Sequence, residues 1–391
     1  MDGAGRHSRL SEDGTLVYAD LHNHSLLSDG LGDPEQAFVQ MRAAGLDVAA
    51  LTDHASIPHH RLEDLGLDFY PDEDALAMAR CGPSRSIDDA AWRRTALIAD
   101  AHDVPGEFTA IRGFEWTEPW LGHVNVWFSD SYLPVTTPGQ VHGLHEWLSH
   151  QERDALFGYN HPGREPGRMH EFAGPDAAYL VDADTTALTG RMVALELFNR
   201  TSDFLFEGCR DGLASPIVAC LDAGWRPGFI GCSDEHTRNY GLAGRGRTGI
   251  WVHQHSRNGV REALLARRTF ATRERGLRLD ATLGGRRMGQ RVSAAAAREL
   301  RVDLAYPAYD GRPVELQVIV GGCDGMPIVP VAQRIICGEV TITEVSLPPA
   351  AEWAFVRIAD PELPNLTPGP AGHPANSRAL AYGSPWWLGG F

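Results

Sequence analysis

The chain is poor in several things, and each shortage removes a class of protein. It has six cysteines among 391 residues. Cys81, Cys209, Cys220, Cys232, Cys323 and Cys337 are scattered and form no CxxC pair, which argues against a thiolate zinc site and against a disulfide framework. No window approaches the roughly 18 consecutive apolar residues of a membrane span, so none is expected. The opening "MDGAGRHSRLSEDG" lacks the apolar core of a secretory signal, and a reducing cytoplasm is the default expectation. Basic residues are outnumbered 35 to 51, for a formal charge of -16. A nucleic-acid-coating surface needs a basic footprint, so no nucleic-acid partner is expected.

What is present is an ordinary globular composition, 43% hydrophobic and 22% charged, on a chain long enough for one large domain and a smaller one. Such a chain buries a core without help from disulfides or metals. Within "ADLHNHSLLSDG", His22 and His24 are two apart and Asp29 follows. On an extended strand this spacing points both imidazoles to one side. The group suits a divalent cation, and equally suits a polar strand end in solvent.

Further apolar, β-rich runs carry the same kind of residue. "DVAALTDH" ends in Asp53 and His54, "FTAIRGFEW" carries Glu115, and "HVNVWF" starts at His123. "ALFGYNHPG" carries His161, "MVALELFN" carries Glu196 and Asn199, and "RPGFIGCSDEH" ends in Asp234 and His236. Helices are expected between them. "DPEQAFVQMRAAG" has Asp33 as N-cap, Pro34 in the first turn and Gly45 as a stop, while "SIDDAAWRRTALIADAH" and "NGVREALLARR" show apolar spacings of three and four. Strands alternating with helices imply βα units around a mainly parallel sheet. Polar strand ends in general would mix Ser, Asn, Lys and Asp. The predominance of His, Asp and Glu favours a barrel with its active site at the C-terminal strand ends.

From about Gly276 onward the runs are strand-like and separated by Pro- and Gly-rich turns, predicting a small all-β, sandwich-like domain over 276–391. The barrel spans 15–275 and residues 1–14 form a tail. Segments 59–85 and 164–190 read as long loops above the barrel mouth.

The ordered set "HNHSLLSDG", "LTDH", "GFE", "GHVNV", "NHPG" and "SDEH" resembles the PHP family, named for its polymerase and histidinol phosphatase members. The resemblance covers roughly residues 15 to 275. "GRTGIWV", "EALLARRTFAT" and "YGSPWWL" point towards free-standing, carbaryl-hydrolase-like members with a C-terminal β extension. It implies an α/β fold, a distorted (β/α)7 barrel, with three divalent metal ions. His22, His24, Glu115 and Asp234 would hold the first. Glu115 would bridge to a second held by His123 and His161, and Asp29, His54 and His236 would hold a third. Asp29 stands where the family often has His. Asp53 is expected to orient one of the imidazoles.

Six imidazoles and three carboxylates suit Zn, Mn or Fe better than Ca. Clustered cations acidify water and polarise a substrate oxygen, so the expected chemistry is ester hydrolysis by a metal-bridging hydroxide, with Glu115 and Asp234 at its centre. Arg164, Arg200, Arg238 and Arg247 lie near motif ends and suit a phosphate, Arg200 and Arg247 foremost. Trp116 and Trp120 are candidates for an apolar pocket wall. A phosphoesterase acting on a small phosphorylated molecule is the first expectation. An aryl carboxyl-ester or carbamate hydrolase is the alternative, and a non-catalytic metal-binding module the third.

Overall fold

The computed structural model describes residues 3–56, 86–118, 122–135, 142–164, 188–209, 215–321 and 326–389. The loops expected over 59–85 and 164–190 fall wholly or mostly outside these residues, as does Trp120.

The first eleven strands are β1 (Thr15–Asp20), β2 (Val48–Leu51), β3 (His54–Ala55), β4 (Thr109–Glu118), β5 (Gly122–Trp127), β6 (Leu156–Tyr159), β7 (Met192–Asn199), β8 (Ser202–Asp203), β9 (Gly228–Cys232), β10 (Arg247–Val252) and β11 (Thr269–Thr272). Pairings β1–β2, β2–β4, β3–β4, β6–β7 and β7–β9 are parallel. The sheet is mixed rather than mainly parallel, because β4, β5 and β6 form an antiparallel run and β10 pairs antiparallel with β1. The connection from β4 to β5, spanning 119–121, is too short for a crossover helix, so the chain must turn back. Strands β1, β2, β4, β5, β6, β7, β9 and β10 all contribute to one buried apolar cluster, together with Val260, Ala263 and Leu264 of the helix Arg257–Leu265. At the far end of β1 and β9, Asn23 pairs with Glu235 in a parallel bridge.

The helix Pro34–Ala43 forms as its caps dictate. Asp33 accepts from the Glu35 and Gln36 amides, and Phe38 and Met41 are buried. The runs read as helices from apolar spacing overlap the helices Asp89–His102 and Arg257–Leu265, which are N-capped by Asp88 and Ser256.

Ten further strands follow: β12 (Arg278–Leu283), β13 (Arg286–Arg287), β14 (Arg291–Val292), β15 (Glu299–Ala305), β16 (Pro313–Val320), β17 (Ile328–Ile336), β18 (Val340–Glu344), β19 (Trp353–Pro364), β20 (Ser377–Gly383) and β21 (Trp386–Leu388). Strands β13, β12, β15 and β18 make a separate four-stranded sheet. Its Leu279, Ala281, Val302 and Leu304 share a cluster with Leu316, Val318, Val356 and Ile358 of β16 and β19. The other faces of β16 and β19, at Ile319, Trp353 and Phe355, pack on Phe229 and Trp225. Strand β20 pairs with β11, so the larger sheet is continuous from the first region into the second. Strand β17 was not expected from the sequence. Pro330 argues against a strand interior, yet among the described residues β17 pairs only with β16 and is an edge, where proline is tolerated. No helix of the described residues is long and apolar enough to cross a membrane.

Candidate metal centre

One edge of the sheet gathers the candidate ligands. His22 and His24 follow β1, His54 lies in β3, His161 follows β6, and Asp234 and His236 follow β9. Glu115 is in β4. His123 opens β5, and because β5 runs antiparallel to β4 its start lies at the same edge. Gly30 lets the Asp29 loop fold back, since a Cβ there would lie 2.6 Å from the His24 carbonyl carbon.

Three groups of side chains converge closely enough to hold a metal ion: His22, His24 and Glu115; Glu115, His123 and His161; and His24, Asp29, His54 and His236. In the first, His22 Nε2 lies 3.0 Å from His24 Nε2 and 3.1 Å from Glu115 Oε1. Asp234 Oδ1 completes it, 3.4 Å from His22 Nε2 and 3.3 Å from His24 Nε2. In the second, Glu115 Oε1 is 3.2 Å from His123 Nδ1 and 3.5 Å from His161 Nε2. In the third, Asp29 is 3.4 Å from the Nε2 atoms of both His54 and His236, which are 3.4 Å from each other.

These separations fit a metal. Ligands at about 2.0–2.1 Å from a tetrahedral ion stand roughly 3.3 Å apart. Two imidazoles facing each other nitrogen to nitrogen hold at most one proton between them, and here two such pairs occur. His24 Nδ1 is buried without a hydrogen-bond partner, a costly arrangement unless a cation or water completes it. Burial opposes the charge of Glu115, but His123, His22 and His54 outweigh it and hold the carboxyl well below its ordinary range. Asp234 is likewise held low against burial, by His22, His24 and His236. Burial also opposes protonation of His54, yet Glu115 and Asp29 raise it to about 10. The carboxylates are therefore charged and the imidazoles compete for protons, which is the electrostatics a cation would replace.

The polar residues around the ligands choose their tautomers. Buried Glu196 accepts from His22 Nδ1 at 2.8 Å, leaving Nε2 to face the cluster. Its other oxygen accepts from the His161 amide and from Asn199 Nδ2, both at 2.8 Å. The Asp234 carbonyl accepts from His236 Nδ1 at 2.9 Å. Asn160 donates to Glu115 Oε1 at 2.6 Å, and Thr117 Oγ1 lies 2.6 Å from His54 Nδ1. His161, Arg200 and Asp234 have φ of 27°, 52° and 47°. That left-handed backbone is costly for non-glycine residues and collects at functional sites.

Several expectations are revised. Asp53 does not orient an imidazole through any described hydrogen bond. Its carboxylate accepts from the Ser25 amide and from the Ser25 and Ser28 hydroxyls, fixing the loop that carries Asp29. Trp116 is not a pocket wall; it is 2% exposed and packs in an apolar core. Of the catalytic candidates, Glu115, Asp234 and Arg200 are brought together and Arg247 is not. Arg247 opens β10 and is buried, and among the described residues its side chain makes one long hydrogen bond, 3.5 Å to the Leu242 carbonyl. In its place stands Arg164, which donates to Asp234 Oδ2 at 2.9 Å and also to Asn199. Arg200 Nη2 lies 3.4 Å from the same oxygen and 3.2 Å from His236 Nδ1. Sequence reasoning named Glu196, Asn199 and Arg164 without giving Glu196 a role, and passed over Asn160 and Thr117.

Residues 67–157 match the model of a family described as "Protein of unknown function (DUF3604)". Among solved structures, the chain is similar to a two-domain protein from Bacteroides vulgatus described as containing a predicted PHP-like metal-dependent phosphoesterase. The identity is 17%, 95% of each chain is covered, and the TM-score is 0.47. It is also similar to an amidohydrolase from Chromobacterium violaceum with bound sulfate and no metal, at 15% identity, covering 56% of this chain and 87% of that one, with a TM-score of 0.28. Among curated proteins none matches the chain.

Proposed function

We propose that the protein is a metal-dependent hydrolase of the PHP type, cleaving esters of small phosphorylated molecules at a centre of three divalent ions, Zn, Mn or Fe. The observation that carries this reading is the sharing of Glu115 between two groups of convergent histidines and of His24 between two. Bound there, the ions would acidify water and polarise the ester oxygen.

The protein's own residues supply the rest. Glu196, Asn160 and the Asp234 carbonyl hold His22, Glu115 and His236 in the orientation that presents lone pairs inward. His24, being neutral with one lone pair, serves one of its two groups at a time. Asp234 divides its carboxylate: Oδ1 faces the imidazoles and Oδ2 faces Arg164 and Arg200. These arginines are 33% and 44% exposed, and Arg200 is the one proposed to meet an incoming anion. The chain has no lysine, leaving arginine as the fixed cation for that task.

The finer architecture belongs to the same reading: a distorted (β/α)7 barrel over 15–275 and a sandwich-like C-terminal domain over 276–391. The cluster drawn from eight strands and the Asn23–Glu235 bridge support the barrel. The two sheets sharing one core support the sandwich. A cytoplasmic protein acting without nucleic acid or membrane fits the charge of -16. The carbaryl-hydrolase-like alternative loses support with the burial of Trp116.

The test holds the leaving group constant and varies the reacting centre. On metal-reconstituted protein, kcat/KM for 1-naphthyl phosphate is expected to exceed that for 1-naphthyl N-methylcarbamate. Preference for the carbamate overturns the phosphoesterase reading in favour of aryl-ester hydrolysis. Full metal loading with no turnover of either substrate overturns it in favour of a non-catalytic metal-binding module.

A further inference from the structure

The end of β7 and the turn into β8 carry two residues that touch the centre. Asn199 donates to Glu196 and accepts from Arg164, and Arg200 reaches His236 and Asp234. Arg200 holds φ 52°, a conformation that persists only where the surroundings enforce it. Part of that enforcement is local. The Arg200 amide donates to the Cys232 carbonyl at 3.0 Å, and the Gly246 amide donates to the Arg200 carbonyl at 2.9 Å.

The rest leads to the C-terminal strands. Arg273, 3% exposed, donates to the Thr201 carbonyl in the turn and, at 3.1 Å, to the Ala379 carbonyl of β20. Its guanidinium lies 4.4 Å from the centroid of the Phe198 ring. Asp203, which closes the turn and is fully buried, accepts from the Tyr382 hydroxyl of β20 at 3.0 and 2.9 Å. The same hydroxyl accepts from Arg357 Nε of β19 at 3.1 Å, and Arg357 also donates to Gln317 of β16 at 2.9 Å. A buried polar chain set among the Phe198 and Phe355 rings tolerates few alternative arrangements, because an unpaired member there is expensive.

We infer that Tyr382 and Arg273 are positioning residues for substrate recognition: Tyr382 of β20, and Arg273 just past β11 through its tie to β20, hold the 199–203 turn so that Arg200 presents its guanidinium beside Asp234 to the anionic group of the substrate. The inference rests on the anion-binding role proposed above for Arg200. It gives the C-terminal strands a part in binding substrate rather than in holding metal, since the described hydrogen bonds of Tyr382 and Arg273 reach none of the candidate ligands.

The test uses the full-length, metal-reconstituted protein and inorganic phosphate as the probe. Dissociation constants come from calorimetry, metal content from elemental analysis and folding from circular dichroism. Tyr382→Phe keeps the ring contacts and removes the hydroxyl. Arg200→Ala is expected to weaken phosphate binding about tenfold or more, the scale of a lost charge-assisted hydrogen bond. Tyr382→Phe is expected to weaken it roughly fivefold at unchanged metal content. The double variant is expected to bind no more weakly than Arg200→Ala alone, because a residue acting through Arg200 has no effect once Arg200 is gone. Arg273→Met attacks the other tie and gives the same pattern if Tyr382→Phe does not fold. Unchanged phosphate affinity in a folded Tyr382→Phe or Arg273→Met variant, or losses that add to that of Arg200→Ala, overturns the positioning role. Unchanged affinity in Arg200→Ala instead overturns the anion-binding reading, and this inference falls with it.

Discussion

Glu196 touches no candidate metal position directly, yet Glu196→Gln is expected to weaken metal binding strongly. The carboxylate accepts three hydrogen bonds at 2.8 Å, from His22 Nδ1, the His161 amide and Asn199 Nδ2. Glutamine has the same shape but only one acceptor oxygen. If that oxygen faces His22, the new amide N–H group points at two donors, the His161 backbone and the Asn199 side chain. If the oxygen faces those donors, the amide N–H group points at His22 Nδ1 and forces the ring into the tautomer that protonates Nε2. In that tautomer the nitrogen facing His24, Glu115 and Asp234 has no lone pair to give. Both placements break something, and neither breaks the fold.

Losing the partner that orients a metal-bound histidine typically costs 10–100-fold in metal affinity, or about 1.4–2.8 kcal/mol. The assay is competition with a chromophoric chelator at fixed pH, on wild type and on Glu196→Gln shown by circular dichroism to be folded. Because His22 belongs to the first group and the His161 amide of the second also donates to Glu196, binding at these groups should weaken and the group of Asp29, His54 and His236 should change least. Wild-type affinity in every step would refute the argument that Glu196 sets the His22 tautomer.

Four other outcomes are expected. Glu115→Gln removes the carboxylate shared by two groups, so elemental analysis should show metal content falling and turnover should disappear; retention of both would contradict the shared-ligand geometry. Metal loading should release protons. His22, despite burial, is held well above the ordinary imidazole range by Glu115, Asp234 and Glu196, and His54 is raised to about 10. Titrations at pH 7 in buffers of different ionisation enthalpy should therefore show about two protons leaving, and a buffer-independent heat would be the contrary result. The same raised His54 makes a pH prediction for the metal-free protein. Its folded value lies above its unfolded 6.5, so its stabilisation is complete below that pH and fades as pH rises through about 10. Tm of the metal-free protein should fall over that window, and should fall by less in His54→Ala, where only His22 of the two still carries a raised value. Finally, a Cβ on Gly249 of β10 would lie 2.1 Å from the Phe270 ring of β11. Gly249→Ala should cost about 1–3 kcal/mol through overpacking, read as a lower urea midpoint with metal affinity unchanged.

What was legible in the sequence, and what was not, divides along physical lines. The candidate ligands stood out because metal coordination restricts residue type, so His, Asp and Glu recurring at apolar run ends is an improbable pattern for mere surface. The cap at Asp33 was readable because capping acts within three residues of chain. Glu196 and Asp53 defeated the same reasoning in opposite ways. Both are buried carboxylates near strand ends; one orients an imidazole and the other fixes a serine loop. That distinction lives in which donor comes within 2.8 Å, and it depends on residues far away in the chain. The antiparallel β5 was missed because nothing in the β4 and β5 runs states their relative direction; only the shortness of the link between them does. Trp116 was a different kind of error, since the information was present. It is the immediate neighbour of Glu115 on β4, and adjacent strand residues face opposite sides of a sheet. With Glu115 directed at the histidines, Trp116 had to point away into the core, where it packs with Trp92, Phe114 and Trp147. The alternation that paired His22 with His24 was enough to exclude Trp116 from the pocket.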